Sequence, residues 1–125
     1  MADTSRELKG LRILVVEDTL LIAELIASAL DDCGCAVVGP AGHLARGLSL
    51  ANSEKLDGAF LDVDLGGESC VPIAQALDAR GVPYVFITGY DDLARLPVEY
   101  QAHPRLSKPF DPDQLGTLAE RHFRR

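Results

Sequence analysis

Basic residues, cysteines and long apolar runs are all scarce in this 125-residue chain. It has 12 lysines and arginines against 19 aspartates and glutamates, a formal net charge of −7, and its sequence pI is near 4.8. Nucleic acids and anionic membranes attract proteins through excess positive charge, which this composition does not supply. We therefore expect neither nucleic acid nor a membrane among its partners.

The three cysteines do not form a metal-binding pattern. Cys33 and Cys35 flank a single glycine and Cys70 stands alone, so no second pair completes a tetrahedral zinc site. Small buried side chains in a reducing compartment are the better interpretation. No apolar run approaches the roughly 20 residues of a membrane span, and residues 1–7 lack the pattern of a signal peptide. We expect a cytoplasmic protein.

What the chain does have is enough apolar sequence for one core, with 47% hydrophobic residues. A domain of this size buries enough surface to fold without a disulfide or a structural metal. Internal repeats, low-complexity tracts and a second domain are all missing from the pattern. Residues 1–10 are predicted to be a flexible leader, followed by one domain over residues 11–125.

Five apolar segments alternate with segments of helical periodicity. The predicted strands cover residues 12–16, 36–39, 57–61, 83–87 and 106–107. The first of them is almost continuously apolar, as a strand covered on both faces should be. This alternation predicts an α/β fold, a parallel sheet with right-handed crossovers and helices on both faces.

The helical segments differ in the strength of their periodicity. It is strong in the first and third, with Leu21, Ile22, Leu25, Ile26, Ala29 and Leu30 in one and Cys70, Ile73, Ala74 and Leu77 in the other. Asp111 suits the N-cap of the last helix, with Pro112 in the first helical position. Between residues 90 and 104 the periodicity is poor and two prolines interrupt it, so a fourth helix there is predicted to be short or mobile.

Polar residues follow four of the five predicted strands. Glu17 and Asp18 follow the first, Asp62 the third, Thr88 the fourth and Lys108 the fifth. In open parallel sheets the ligand site lies outside the carboxyl ends of the strands. We therefore expect these five side chains at one rim. Each is common at a strand end when taken alone, and the ordered set carries the prediction.

Glu17, Asp18 and Asp62 would place three negative charges within a few ångströms of one another. At about 4 Å each like pair repels by about 4 kcal/mol at an effective dielectric of 20, so such a cluster calls for a cation. Carboxylate oxygens suit Mg²⁺. The ion would also reduce the repulsion between Asp62 and an incoming phosphate, which would let Asp62 act as the nucleophile.

A phosphoryl group on Asp62 would need donors for its remaining oxygens. The Thr88 hydroxyl and the Lys108 ammonium suit that role. The backbone carbonyl of Asp64 would supply a further metal ligand, and the Asp64 side chain would face the mouth of the site, where it could orient water. The set predicts transfer of a phosphoryl group to a carboxylate.

These residues resemble the receiver domain of two-component response regulators, over nearly the whole chain from Leu11 to Arg124. The resemblance implies a flavodoxin/CheY-like, doubly wound sheet of five parallel strands in the order 2-1-3-4-5. It implies that Asp62 accepts phosphate from a sensor histidine kinase with Mg²⁺ as cofactor. Glu17 and Asp18 match the metal-binding acids, Thr88 the switch hydroxyl and Lys108 the phosphate-binding lysine, whose bond to the next proline is typically cis.

Two features depart from the common pattern of that family. The usual aromatic switch residue lies three positions before the lysine, where this chain has Arg105. The run Pro83-Tyr84-Val85-Phe86-Ile87-Thr88-Gly89-Tyr90 resembles a proteobacterial subgroup of single-domain receivers with a P-F-x-F-A-T-G-Y motif, in which the fourth helix tends to be poorly ordered. We hypothesise that Tyr90 and the segment to Leu96 reorder when Thr88 turns toward the phosphate.

Two other functions remain open from the residues. Asp62-Val63-Asp64 also resembles the D-x-D motif of haloacid-dehalogenase-type phosphatases, but those place it on their first strand and need a later acidic pair. The second alternative is a binding module that works without phosphorylation, against which the complete residue set argues. As a receiver, the chain would not be an enzyme beyond its own phosphorylation and dephosphorylation.

The output of such a domain would be a protein contact. Family analogy points to the face formed by the fourth and last helices, including Arg105, as the surface for an unknown downstream partner. We expect a monomer or a weak homodimer. Met1 favours a stand-alone regulator or phosphate shuttle over a receiver cut from a longer protein.

Overall fold

The computed structural model describes residues 8–124, which form a five-stranded parallel sheet with helices on both faces. The strands are β1 (Arg12–Val16), β2 (Ala36–Ala41), β3 (Gly58–Asp62), β4 (Tyr84–Thr88) and β5 (Arg105–Ser107). Their order in the sheet is β2-β1-β3-β4-β5, and every neighbouring pair is parallel. The predicted fold class and strand order are confirmed.

Four α-helices cover the sheet: α1 (Leu20–Asp32), α2 (Leu44–Ser53), α3 (Val71–Ala79) and α4 (Asp113–Phe123). One core lies under α1 and α4 and includes Ile13, Val15 and Phe60. The other lies under α2 and α3 and includes the alternate strand residues Leu14, Val16 and Leu61. Because both faces of each central strand are covered, all five positions of β3 and of β4 are buried.

The fourth helix of the expected pattern is replaced by two 3-10 turns, Asp92–Arg95 and Val98–Tyr100. The connection between β4 and β5 lies entirely within the described residues, and it contains no α-helix. The short helix that the sequence predicted there is present only as these two 3-10 turns. Leu96 and Tyr100 are nevertheless buried in the core. The second half of this connection is therefore fixed to the body of the domain.

A hairpin of two two-residue strands follows β3 and places Asp64 beside the carboxyl end of the sheet. Asp64–Leu65 pairs antiparallel with Glu68–Ser69. Gly66 and Gly67 form its turn with φ of 64° and 92°, a region that side chains with a Cβ rarely adopt. The turn returns the chain toward α3 and keeps Asp64 close to Asp62.

The predicted division into a leader over residues 1–10 and a domain over residues 11–125 stays a prediction. Residues 1–7 lie outside the described part, and Leu8 is 2% exposed and packs in the α1–α4 core. Leu21 and Leu25, which fit the helical spacing of α1, are 78% and 42% exposed. The last helix begins at Asp113 with Pro112 in the N-cap position, so the predicted N-cap Asp111 lies one residue before the cap. Asp111 still accepts a hydrogen bond from the Asp113 amide at 3.0 Å. Among residues 8–124, the helices are too short or too polar to cross a bilayer.

Candidate functional site

The sheet brings the predicted site residues to one rim because its strands all run in the same direction. Asp62 ends β3 and Thr88 ends β4, while Glu17 follows β1 and Lys108 follows β5. Register reinforces the alignment, since Asp62 lies beside Ile87 and Thr88 beside Ser107. The Lys108 amide also donates to the Thr88 carbonyl at 2.8 Å.

Three carboxylates form the floor and one side of the site. Glu17, Asp18 and Asp62 each offer an oxygen, and these three atoms lie within 4.8 Å of one another. Glu17 and Asp62 are each 1% exposed, whereas Asp18 is exposed. Glu17 also accepts a hydrogen bond from the Thr19 amide at 3.1 Å, so this acid helps to shape the turn into α1. Two acids at the floor and one at the opening leave a side from which an ion could enter.

Lys108 pairs with two of these acids. Its Nζ lies 3.0 Å from Asp62 Oδ2 and 3.4 Å from both oxygens of Glu17. Burial disfavours the charged lysine, but the hydrogen bond to Asp62 and the negative charges of Asp62 and Glu17 outweigh this effect and raise the pKa of Lys108. The Lys108–Pro109 peptide is cis, as the family resemblance predicted.

One ammonium does not balance the acids. Burial, a hydrogen bond with Asp62 and the charge of Asp62 raise the pKa of Glu17 to about 8. Burial likewise raises the pKa of Asp62, against the hydrogen bonds it makes with Glu17 and Lys108. Glu17 Oε2 lies at ion-pair distance from Lys108 but accepts no hydrogen bond within the described chain. A buried carboxylate oxygen that lacks a hydrogen bond, beside two further carboxylates, fits a hard divalent cation with oxygen ligands such as Mg²⁺.

Asp64 lies at the opening and uses both of its carboxylate oxygens. Oδ1 accepts from the Gly67 amide at 2.8 Å, and Oδ2 lies 3.1 Å from Arg95 Nη1. The hydrogen bond from Gly67 and then the one from Arg95 lower the pKa of Asp64. The Asp64 amide donates to Asp62 Oδ1 at 3.0 Å. The side chain therefore lies at the mouth, where the sequence placed it.

Tyr90, predicted to reorder, and Arg105, predicted on the partner surface, lie in different surroundings. Tyr90 is 94% exposed and lines a shallow cavity of about 340 Å³ at the mouth, together with Leu25, Lys108 and Phe110. Arg105 is exposed on β5, donates to the Gln101 carbonyl at 3.1 Å and lines a separate cavity against α4. The structure brings Tyr90 to the site and leaves Arg105 beside it on the neighbouring surface.

Arg95 and Asp92 are the residues of this region that the sequence did not predict. Arg95 Nη1 lies 3.7 Å from Asp92 Oδ1 as well as close to Asp64. The other oxygen of Asp92 accepts from the Gly89 amide at 2.6 Å. No motif marks these residues, because their meeting depends on the irregular path of the chain after Tyr90.

A doubly wound parallel sheet with an acid triad, a hydroxyl and a lysine at the carboxyl ends of its strands defines a class of signalling receiver. The chain belongs to the response regulator receiver family, since the sequence profile described as "Response regulator receiver domain" matches residues 13–120. The predicted family is confirmed.

Curated relatives are longer than this chain. An uncharacterised response regulatory protein of Vibrio parahaemolyticus is 36% identical over 110 residues, which are 86% of this chain and 46% of the relative. The sensory transduction protein LytT of Bacillus subtilis is 33% identical over 115 residues, 90% of this chain and 48% of LytT. The chain thus spans about half the length of the curated relatives it matches.

Solved structures agree with this assignment. SdrG from Sphingomonas melonis is 35% identical, with a TM-score of 0.77 over 96% of this chain and 98% of SdrG. The receiver domain of the sensor histidine kinase PA1611 from Pseudomonas aeruginosa, solved with a magnesium ion in its active site cleft, has a TM-score of 0.78 over 90% of this chain and 96% of that one. At 21% identity the second likeness shows the fold alone.

Proposed function

We propose that Asp62 accepts a phosphoryl group from a histidine kinase, and that this modification changes the protein-binding surface of the domain. One observation carries the proposal: Asp62 is buried at the end of β3, within reach of two further carboxylates and 3.0 Å from Lys108 Nζ. Burial and neighbouring negative charges disfavour the ionised form of an acid. A carboxylate nucleophile with a cation site and a lysine beside it, by contrast, suits phosphoryl transfer.

The metal site would consist of Glu17, Asp18, Asp62 and the backbone carbonyl of Asp64. Mg²⁺ held there would supply positive charge that offsets the repulsion between Asp62 and an incoming phosphoryl group. The fit rests on the three converging carboxylate oxygens and on the Glu17 oxygen without a hydrogen bond in the described chain. Magnesium in the cleft of the PA1611 receiver domain is consistent with this choice.

Transfer would proceed by attack of an Asp62 carboxylate oxygen on phosphorus. The new bond joins phosphorus to that oxygen, and the bond from phosphorus to the donor's histidine nitrogen breaks. Lys108 would exchange its contact with Asp62 Oδ2 for one with a phosphoryl oxygen, which costs little reorganisation because its Nζ already lies 3.0 Å away. The Thr88 hydroxyl, at the end of the adjacent strand, would donate to another phosphoryl oxygen.

Two surfaces suit the two partners of such a cycle. Leu25 and Tyr90 are exposed apolar side chains at the mouth, where a donor protein would have to cover the acid cluster. Arg105 lies on the adjacent β5–α4 face, which we propose as the surface for the downstream partner. For the domain itself, which we propose to cover residues 11–125, we propose a monomer or a weak homodimer and no chemistry beyond its own phosphorylation and dephosphorylation.

The intact mass of the protein after incubation with acetyl phosphate and Mg²⁺ tests the acceptor. We expect one phosphoryl group on the wild type and none on Asp62→Asn. Asp111→Asn, which removes an exposed acid just before α4, should be phosphorylated like the wild type. A wild type that stays unmodified with acetyl phosphate and with its kinase would instead support a binding module that works without phosphorylation.

A further inference from the structure

We infer that Arg95 is a positioning residue that lengthens the life of the aspartyl phosphate by restraining the Asp64 carboxylate at the mouth of the site. This inference rests on the proposed function, because it concerns the loss of the phosphoryl group that Asp62 accepts. It assigns a role to a residue outside the acids, the hydroxyl and the lysine of the site.

The contacts of Arg95 join two separate loops across the mouth. Its Nη1 lies 3.1 Å from Asp64 Oδ2, on the hairpin after β3, and 3.7 Å from Asp92 Oδ1 within its own 3-10 turn. Asp92 in turn accepts from the amide of Gly89, which directly follows Thr88. One guanidinium thus connects the loop of the phosphoacceptor to the end of the strand that carries the hydroxyl.

The restraint on Asp64 is two-sided. Its Oδ1 is held by the Gly67 amide at 2.8 Å and its Oδ2 by Arg95. The hairpin fixes the first contact, since Gly67 belongs to the turn that Asp64 itself begins. The second depends on the connection after β4, so Arg95 is the contact that a change in that segment can release.

Hydrolysis of the aspartyl phosphate is the step in which an unrestrained Asp64 carboxylate would act. A water oxygen attacks phosphorus, the bond from phosphorus to the Asp62 oxygen breaks, and Asp62 leaves as a carboxylate. The water loses a proton on the way to inorganic phosphate. A carboxylate at the mouth can orient that water and accept its proton, provided that the carboxylate is not already engaged by a guanidinium.

The size of the effect follows from the exposure of the pair. The side chains of Arg95 and Asp64 are 50% and 37% exposed. In an exposed ion pair of this kind the paired state is only a few times more populated than the unpaired state. Removing the guanidinium should therefore speed hydrolysis about two- to fivefold. Salt should speed the wild type in the same direction, because it screens an exposed pair.

Decay of the phosphoryl group, followed by intact mass after removal of the donor, tests the inference. The variants are Arg95→Ala, Arg95→Lys, Asp64→Asn and the double variant Arg95→Ala/Asp64→Asn. The control is Arg121→Ala, which removes an exposed arginine from the last turn of α4. We expect faster decay for Arg95→Ala and a rate nearer the wild type for Arg95→Lys, which keeps the charge.

The double variant separates this role from a merely structural one. With Asp64→Asn in place, decay should be slower than in the wild type, and the further change Arg95→Ala should alter it no more than Arg121→Ala does. Equal decay of Arg95→Ala and wild type would overturn the inference. So would acceleration by Arg95→Ala that persists without the Asp64 carboxylate, since Arg95 would then act on the phosphoryl group itself. Absence of any adduct on the wild type would overturn the proposed function, and with it this inference.

Discussion

At the scale of single residues, Glu17 is a buried acid whose surroundings disfavour its charged form. Burial and its contact with Asp62 raise the pKa of Glu17 to about 8, above the value of about 4.5 for an unperturbed side chain. The folded state therefore binds more protons than the unfolded state between these two values. Its stability should fall as pH rises across this window, by at most about 1.4 kcal/mol per pH unit for one proton.

Mg²⁺ should oppose that loss, because it binds the ionised carboxylates of the folded state. We expect the midpoint of thermal unfolding without Mg²⁺ to fall between pH 5 and about pH 8. Saturating Mg²⁺ should raise the midpoint more at the upper end of this range than at the lower. Glu17→Gln should flatten the pH dependence and weaken the response to Mg²⁺. Glu24→Gln, an exposed acid on α1, is the control, and a Glu17→Gln profile that matches it would contradict the assignment.

The sequence predicted the positions of Glu17, Asp62, Thr88 and Lys108 well because topology alone places them. Once strands are known to be parallel, their carboxyl ends must meet at one rim. Arg95 could not be found in the same way, since no regular element determines where it lies. The raised pKa values of Glu17 and Asp62 could not be predicted from the sequence either, because they result chiefly from burial in the assembled fold.

At the scale of elements, the connection between β4 and β5 divides into two parts. In the second part, Leu96 and Tyr100 are buried, and the Tyr100 hydroxyl donates to Asp78 Oδ2 at 3.1 Å. Tyr84 donates to the other oxygen of the same aspartate at 2.9 Å. Residues 89–95 have Tyr90 in solvent and are tied across the mouth by the ion pair of Arg95.

This division predicts which residues change their surroundings on phosphorylation. Amide resonances of residues 89–95 should shift on phosphorylation, and those of residues 98–103 should change little, because buried side chains hold the second part. Tyr90→Ala should reduce the shifts in the first part. Val98→Ala removes a side chain that is also exposed, at 82%, but lies in the anchored part, and it should leave them as in the wild type. Equal shifts in Tyr90→Ala and wild type would refute a role for Tyr90.

The first helix shows the limit of periodicity as a guide to burial. Six apolar residues of α1 fit the helical spacing, but a helix packed on a sheet buries only one stripe. Ile26 and Leu30 are fully buried, whereas Leu21 and Leu25 are exposed to solvent. Hydrophobic spacing predicted the helix correctly and could not tell its core face from an apolar surface near the mouth.

At the scale of the whole molecule, two cores share one sheet. Phe60 belongs to the core under α1 and α4, and its neighbours Ala59 and Leu61 belong to the core under α2 and α3. Side chains of β3 alternate between the two cores, so displacing this strand from one core also exposes side chains of the other core to solvent. We therefore expect the domain to unfold as a single cooperative unit.

Phe123 offers a test of this cooperativity from the end of the described chain. It is 3% exposed, its ring fills the space that a Cβ on Gly58 at the start of β3 would occupy, and it packs edge-to-face on Phe60 with ring centroids 5.3 Å apart. Phe123→Ala should lower the free energy of unfolding by about 3–5 kcal/mol, measured by chemical denaturation. Phe110→Ala, a half-buried phenylalanine at the edge of the same core, should cost less.

Hydrogen exchange shows whether that loss reaches the opposite face. Under conditions where the slowest amides exchange by global unfolding, Phe123→Ala should reduce the protection of α2 amides such as Ala51, across the sheet, by as much as that of α1 amides such as Leu30. The shared strands transmit the loss, since both cores depend on β3 remaining in register with its neighbours. Wild-type protection in α2 beside weakened protection in α1 would mean that the two faces open independently.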